Sequence, residues 1–140
     1  MAMIQLELFN MVTLNIAKPL KVAMNDDVKA CGQSREQIVD CMNDLADRNG
    51  VCLVHGNGAR LTLDTLEKWL NVSDLTRIIP LKALPIFCAA TGRYSSVNVL
   101  TKSMGLRVID AREQKLLAWA EAKMEVQKKS RQIRKLEAEL

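Results

Sequence analysis

The sequence predicts an all-α fold. Three observations carry this. The chain of 140 residues holds only two Phe, two Trp and one Tyr, so Leu, Ile, Val, Ala and Met must fill the core. β-Branched and aromatic runs of the kind that build sheets are few. Helix starts and stops are written out at several places. Finally, no breaker interrupts the chain from Asp110 to Leu140.

The first helix is expected over about 16–30. Pro19 suits its first turn, where a backbone donor lacks a partner anyway. Leu20, Val22, Ala23 and Val28 supply its apolar side, and Gly32 follows as the stop. The second helix opens at Ser34, with Gln37 three residues on, a capping box. It should run from Arg35 to about Arg48, with Ile38, Cys41, Met42 and Leu45 inward and Asn49-Gly50 as its end.

Next comes "VCLVHGNGARLT". Val51–Val54 has strand-like composition and Gly56-Asn57-Gly58 is a tight-turn signal, so a small hairpin or β-ribbon is expected at about 51–61. Thr62 caps a third helix whose buried stripe is Leu63, Leu66, Trp69 and Leu70. A fourth helix covers about 81–91 and stops at Gly92. Pro85 would remove a hydrogen bond deep in a helix, which places the start near Lys82. A fifth, about 96–104, opens at Ser95 or Ser96 and stops at Gly105.

Asp110, with Glu113 three residues on, caps the last helix. Thirty residues reach about 45 Å, longer than a small domain needs. Trp119, Val126, Ile133 and Leu140 recur every seven residues, and Ala122, Lys129 and Leu136 form the companion row. This is a heptad seam with one charged slot. The chain thus reads as an N-terminal arm (1–13), a helical domain (14–105) and a C-terminal helix (110–140) open to coiled-coil pairing. Met11 is an alternative start.

The net charge of +4 permits a polyanionic partner without demanding one. Cys31, Cys41, Cys52 and Cys88 form no C-x-x-C, and His55 is the only His. Zinc needs closely spaced ligands, so no metal and no cofactor are expected, and the thiols should be reduced. Cys41 and Cys88 read as small buried hydrophobes. No stretch reaches the roughly 18 apolar residues of a membrane span, and the N-terminus lacks the basic start of a signal peptide. A cytoplasmic protein without a membrane partner is expected.

No catalytic constellation stands out. His55 lies in a glycine-rich loop without a nucleophile beside it, and there is no phosphate-cradling loop. Neither enzyme activity nor a small-molecule substrate is expected. Glu36, Asp40, Asp44 and Asp47 form an acidic row on the second helix. They spread over about 16 Å, too far to converge on a metal. Phosphates would repel that face. The run "KKSRQIRK" is the opposite: Lys128, Lys129, Arg131, Arg134 and Lys135 form a phosphate- or partner-contacting patch without an acid among them. Arg60, Thr62, Thr65 and Lys68 sit at the start and outer side of the third helix, which a recognition helix would present to base edges. Asp64 and Glu67 share that side.

The segments "KACGQSREQIVDCMNDLA", "LTLDTLEKWL" and "IPLKALPIFCAATG" resemble, in order and content, small phage-encoded regulators of the lambda-repressor-like helix-turn-helix class. The resemblance covers about residues 16–105. It implies a helix-turn-helix-like five-helix core, binding of double-stranded DNA and transcriptional control of a phage or prophage. Carried over, Ser34, Arg35 and Gln37 would lie near the DNA backbone, and Thr62, Asp64, Thr65 and Lys68 on the recognition helix. The sequence departs from the class between the two helices. A three- or four-residue turn is usual, whereas Asn49–Leu61 intervene here. That insertion would either swing the third helix away or form a ribbon touching DNA through Arg60 and His55.

Two functions follow as expectations. One is a DNA-binding regulator acting as a homodimer, contacting DNA through Arg35, Gln37, Arg60, Thr62, Thr65 and Lys68. Trp119, Val126, Ile133, Leu136 and Leu140 would form its pairing seam. The alternative is a non-catalytic interaction or assembly factor that keeps the helical core but no longer reads DNA.

Overall fold

The computed structural model describes residues 14–56 and 60–140. The expected N-terminal arm (1–13) and most of the expected tight turn, residues 57–59, lie outside the described residues. The described residues form six α-helices and a 3-10 turn: α1 (Ala17–Ala30), α2 (Arg35–Asn49), α3 (Leu63–Leu70), the turn Leu81–Ala83, α4 (Leu84–Thr91), α5 (Ser95–Ser103) and α6 (Ala111–Glu139). The fold is all-α. The chain divides into two compact units, one ending at Arg107 and the other Val108–Leu140.

The expected β-ribbon is absent among the described residues of 51–61. Leu53 and Leu61 point inward instead and are almost fully buried. The main chain of Leu61 is paired, but with a side chain: Asn43 Nδ2 donates to its carbonyl and its N–H donates to Asn43 Oδ1, each at 2.9 Å. A helix-borne amide thus takes the place of a neighbouring strand, and the apolar residues that looked strand-like plug the core.

In the first unit, α1 packs on α5 and α3, and α2 on α4 and α3. Their shared core includes Met24, Ile38, Met42, Leu66, Trp69 and Phe87. The α2 capping box forms: Ser34 Oγ accepts from the Gln37 N–H and the Ser34 N–H donates to Gln37 Oε1. Gly50 ends the helix at φ 64°, where a side chain would be strained. On α2, Val39 and Ala46 are buried while Cys41 and Leu45 are half-buried. On α1, Val22 turns outward, and Lys21, Met24 and Asp27 turn in. The helical repeat sets this: Leu20, Met24, Asp27 and Val28 share one side. The α4 helix begins at Leu84 rather than Lys82, because Pro85 fits only its first turn.

Two buried charges tie the helices together. Asp27, fully buried on α1, accepts from the Ser95 N–H at 3.1 Å and from Arg93 Nε at 3.3 Å. The first turn of α5 is therefore capped by a carboxylate 68 residues upstream, not by the local serines. Lys21 Nζ donates to the carbonyls of Lys68 and Arg77, at 2.9 and 2.5 Å. This ammonium links α1 to the last turn of α3 and to the following connection. Burial pulls the Lys21 pKa down, and Asp74 opposes this.

In the second unit, Asp110 Oδ1 accepts from the Glu113 N–H at 2.7 Å and starts α6. The helix has 29 residues, about 44 Å, and none is buried. Among the described residues, no helix is long and apolar enough to cross a membrane. All four cysteines are free; Cys88 is buried, and Cys52 is exposed.

Candidate nucleic-acid interface and pairing seam

The side chains expected to meet DNA fall into two sets. Around α3, Thr62 is the N-cap: its Oγ1 accepts from the Thr65 N–H at 3.2 Å and donates to Thr65 Oγ1 at 3.1 Å. Both hydroxyls are at the start of α3, where backbone donors face outward. Thr65 and Lys68 line a cleft of about 360 Å³ with Trp69, His55 and Arg77. Sequence reasoning missed Arg77, which lies in an irregular connection where no periodicity marks its direction.

Each cation expected on this surface has an acid beside it. Lys68 Nζ is 2.8 Å from Asp64, Arg60 is 2.9 Å from Asp47, and Arg35 is 3.9 Å from Glu67. All are surface pairs of small worth, about 0–1 kcal/mol, so a phosphate can compete for each cation. The carboxylates nevertheless lower the local positive field. Gln37 is committed in part to the α2 cap, through Oε1. Arg35 lies instead on a larger cleft of about 660 Å³ between α1 and α3, lined also by Asp26, Lys29 and Glu67. The structure therefore brings Thr62 and Thr65 together at the start of α3, with Thr65 and Lys68 along one cleft, sets Arg35 beside the same helix through Glu67, and commits Gln37 in part to the start of α2.

The acidic row on α2 is exposed at Glu36, Asp40, Asp44 and Asp47. Asp44 pairs with Arg48 at 2.8 Å. Among the described residues, no group of three or more His, Cys, Asp or Glu is placed to hold a metal ion.

The second set is on α6. Lys128, Lys129, Arg131, Arg134 and Lys135 are all exposed, and among the described residues none of them is in an ion pair. Lys128, Arg131 and Lys135, at i, i+3 and i+7, share one face over about 10 Å. At 3.6 residues per turn this face lies opposite the row Trp119, Val126, Ile133 and Leu140. The apolar row is exposed throughout, with Trp119 at 60% and Ile133 at 55%. Lys123 Nζ sits 5.0 Å from the Trp119 ring centroid, a cation–π contact along the helix. One helix thus carries an apolar seam and, behind it, a basic stripe.

No family model, no curated protein and no solved structure matches the chain.

Proposed function

We propose that this chain is a non-catalytic, DNA-binding transcriptional regulator that acts as a homodimer. It would be of the helix-turn-helix kind that the sequence resembles, with α2 and α3 as the two helices and residues 50–62 as an enlarged turn. The observation that carries the reading is the stripe on α6, whose cations have no acid partner among the described residues. Unpaired cations in a row meet phosphates without first giving up an ion pair, and each contact releases counterions. Thr62, Thr65 and Lys68, with Arg77 and His55 beside them, would supply the groups that approach base edges and the backbone. The apolar row of α6 is the surface on which two copies would pair.

The test is a salt titration of binding to the DNA upstream of its own gene and to an unrelated duplex. A preference for its own DNA with a steep slope supports operator reading. Replacing Lys128, Arg131, Arg134 and Lys135 with Gln should flatten the slope of log K against log salt by about 3–4, if each meets one phosphate. An unchanged slope removes α6 from the interface.

A specific observation favours a second reading. Arg35, Arg60 and Lys68 each face a carboxylate. A core that no longer reads DNA would tolerate such pairs, and the chain would then be an assembly factor. No binding at low salt would decide for it.

A further inference from the structure

We infer that α6 pairs with α6 of a second copy, and that the two helices run antiparallel. The inference rests on the homodimer reading and adds the geometry of the pair.

The seam positions are Trp119, Val126, Ile133 and Leu140, with Lys115, Ala122, Lys129 and Leu136 as the companion row. All of Trp119, Val126, Ile133, Leu136 and Leu140 are more than half exposed. A heptad row of this kind is covered by knobs-into-holes packing against another helix. The two lysines of the companion row decide the direction.

In a parallel, in-register pair each seam residue meets its own counterpart. Lys129 would face Lys129 and Lys115 would face Lys115, giving two like-charge layers inside an apolar seam. The flanking positions bring no relief, since Glu125 would face Ser130 and Gln132 would face Glu137.

Antiparallel pairing removes both clashes. With Val126 set against Lys129 of the second copy, the remaining layers follow from the repeat. Trp119 meets Leu136, Ile133 meets Ala122, and Leu140 meets Lys115. Each lysine stem then lies on an apolar side chain. Its ammonium also gains an acid. Lys129 of one copy is level, to within one residue's rise of about 1.5 Å, with Glu125 of the other. Lys115 is level with Glu139 to the same margin. Glu125 and Glu139 each sit one residue before a seam position, at the rim where a lysine head emerges. Glu125 flanks Gln132 of the second copy rather than another acid. Lys128, Arg131 and Lys135 stay on the outer face of each helix.

The experiment uses the full chain with exposed Cys52 replaced by Ser. Lys115→Cys and Leu140→Cys versions are mixed, re-equilibrated and oxidised, and the linked peptides are identified by mass. Sedimentation of the unmodified chain gives the oligomeric state. The expected result is a dimer in which Lys115→Cys links chiefly to Leu140→Cys. Predominant links between two Lys115→Cys copies, or between two Leu140→Cys copies, overturn the antiparallel arrangement and leave the homodimer standing. A dimer that yields no link between these positions overturns the α6 pairing. A monomer overturns the pairing and the homodimer together. DNA binding is measured separately, so failure there is not confused with failure here.

Discussion

The amide of Asn43 holds the main chain of Leu61 in both directions, N–H to Oδ1 and Nδ2 to carbonyl, each at 2.9 Å. Asn43 is on α2 and Leu61 lies just before α3, so this pair fixes where the long connection re-enters the core. Both residues are buried, and water cannot stand in for either bond. The connection between the two helices of the candidate DNA-binding core is thereby anchored at its far end, whatever its middle does.

Asn43→Ala should therefore destabilise the chain by about 2–4 kcal/mol, since it leaves a buried N–H and a buried carbonyl unpaired. Asn43→Asp should also be costly. It keeps the acceptor for the Leu61 N–H but sets a carboxylate oxygen against the Leu61 carbonyl. Urea unfolding followed by circular dichroism measures both. A loss under 0.5 kcal/mol for the alanine variant would show that the anchor is dispensable.

Asp27 makes a comparable tie between α1 and α5. Asp27→Ala removes the cap on the Ser95 N–H and the partner of Arg93; Asp27 is fully buried, while Arg93 is half-exposed. A loss of about 1.5–3 kcal/mol is expected, as for hydrogen bonds to a charged group, because water can solvate the half-exposed Arg93. Asp27→Asn retains the shape and an acceptor and should lose less. If the two variants unfold at the same urea concentration, the shape and acceptor that Asn retains contribute nothing, and the whole effect rests on the charge of Asp27.

Lys21 is buried with two carbonyl partners, and burial lowers its pKa below that in the unfolded chain. Between the folded and unfolded values the unfolded chain binds more protons, so stability should rise with pH across that window. Lys21→Met keeps the stem but leaves the Lys68 and Arg77 carbonyls without this donor. It should be less stable than the parent at pH 8 by about 1–3 kcal/mol. The gap should widen by pH 10, because only the parent gains from deprotonation. A gap that narrows would mean that the ammonium, not the stem and neutral amine, is what the site favours.

The local devices of the fold were legible in the sequence. Ser34 with Gln37, Gly50, Thr62 and Asp110 act within a few residues of themselves, and each is where the pattern placed it. What was not legible depends on partners distant in the chain. Nothing near Asp27 says that it caps a helix beginning at Ser95, and nothing near Lys21 names two carbonyls after Leu66. The strand-like run Val51–Val54 misled for the same reason. Its apolar residues answer to a core, and the pairing of Leu61 comes from α2. Asp64 and Glu67 were legible on the outer side of α3, but the pairings of Asp47 with Arg60 and of Glu67 with Arg35 join residues distant in the chain.

Those acids give a test of α3 that works by gain rather than loss. Asp64 is paired with Lys68 and Glu67 with Arg35, both on the solvent side. Replacing them with Asn and Gln removes two negative charges and frees two cations, with little effect on stability, because exposed pairs are worth about 0–1 kcal/mol. If α3 lies against DNA, the Asp64→Asn/Glu67→Gln variant should bind more tightly at 150 mM salt, and its salt slope should steepen by about 1–2. Loss of preference for its own DNA alongside the tighter binding would show that the two acids serve to reject wrong sequences. Unchanged affinity would place α3 away from the phosphates and leave DNA contact to the α6 stripe.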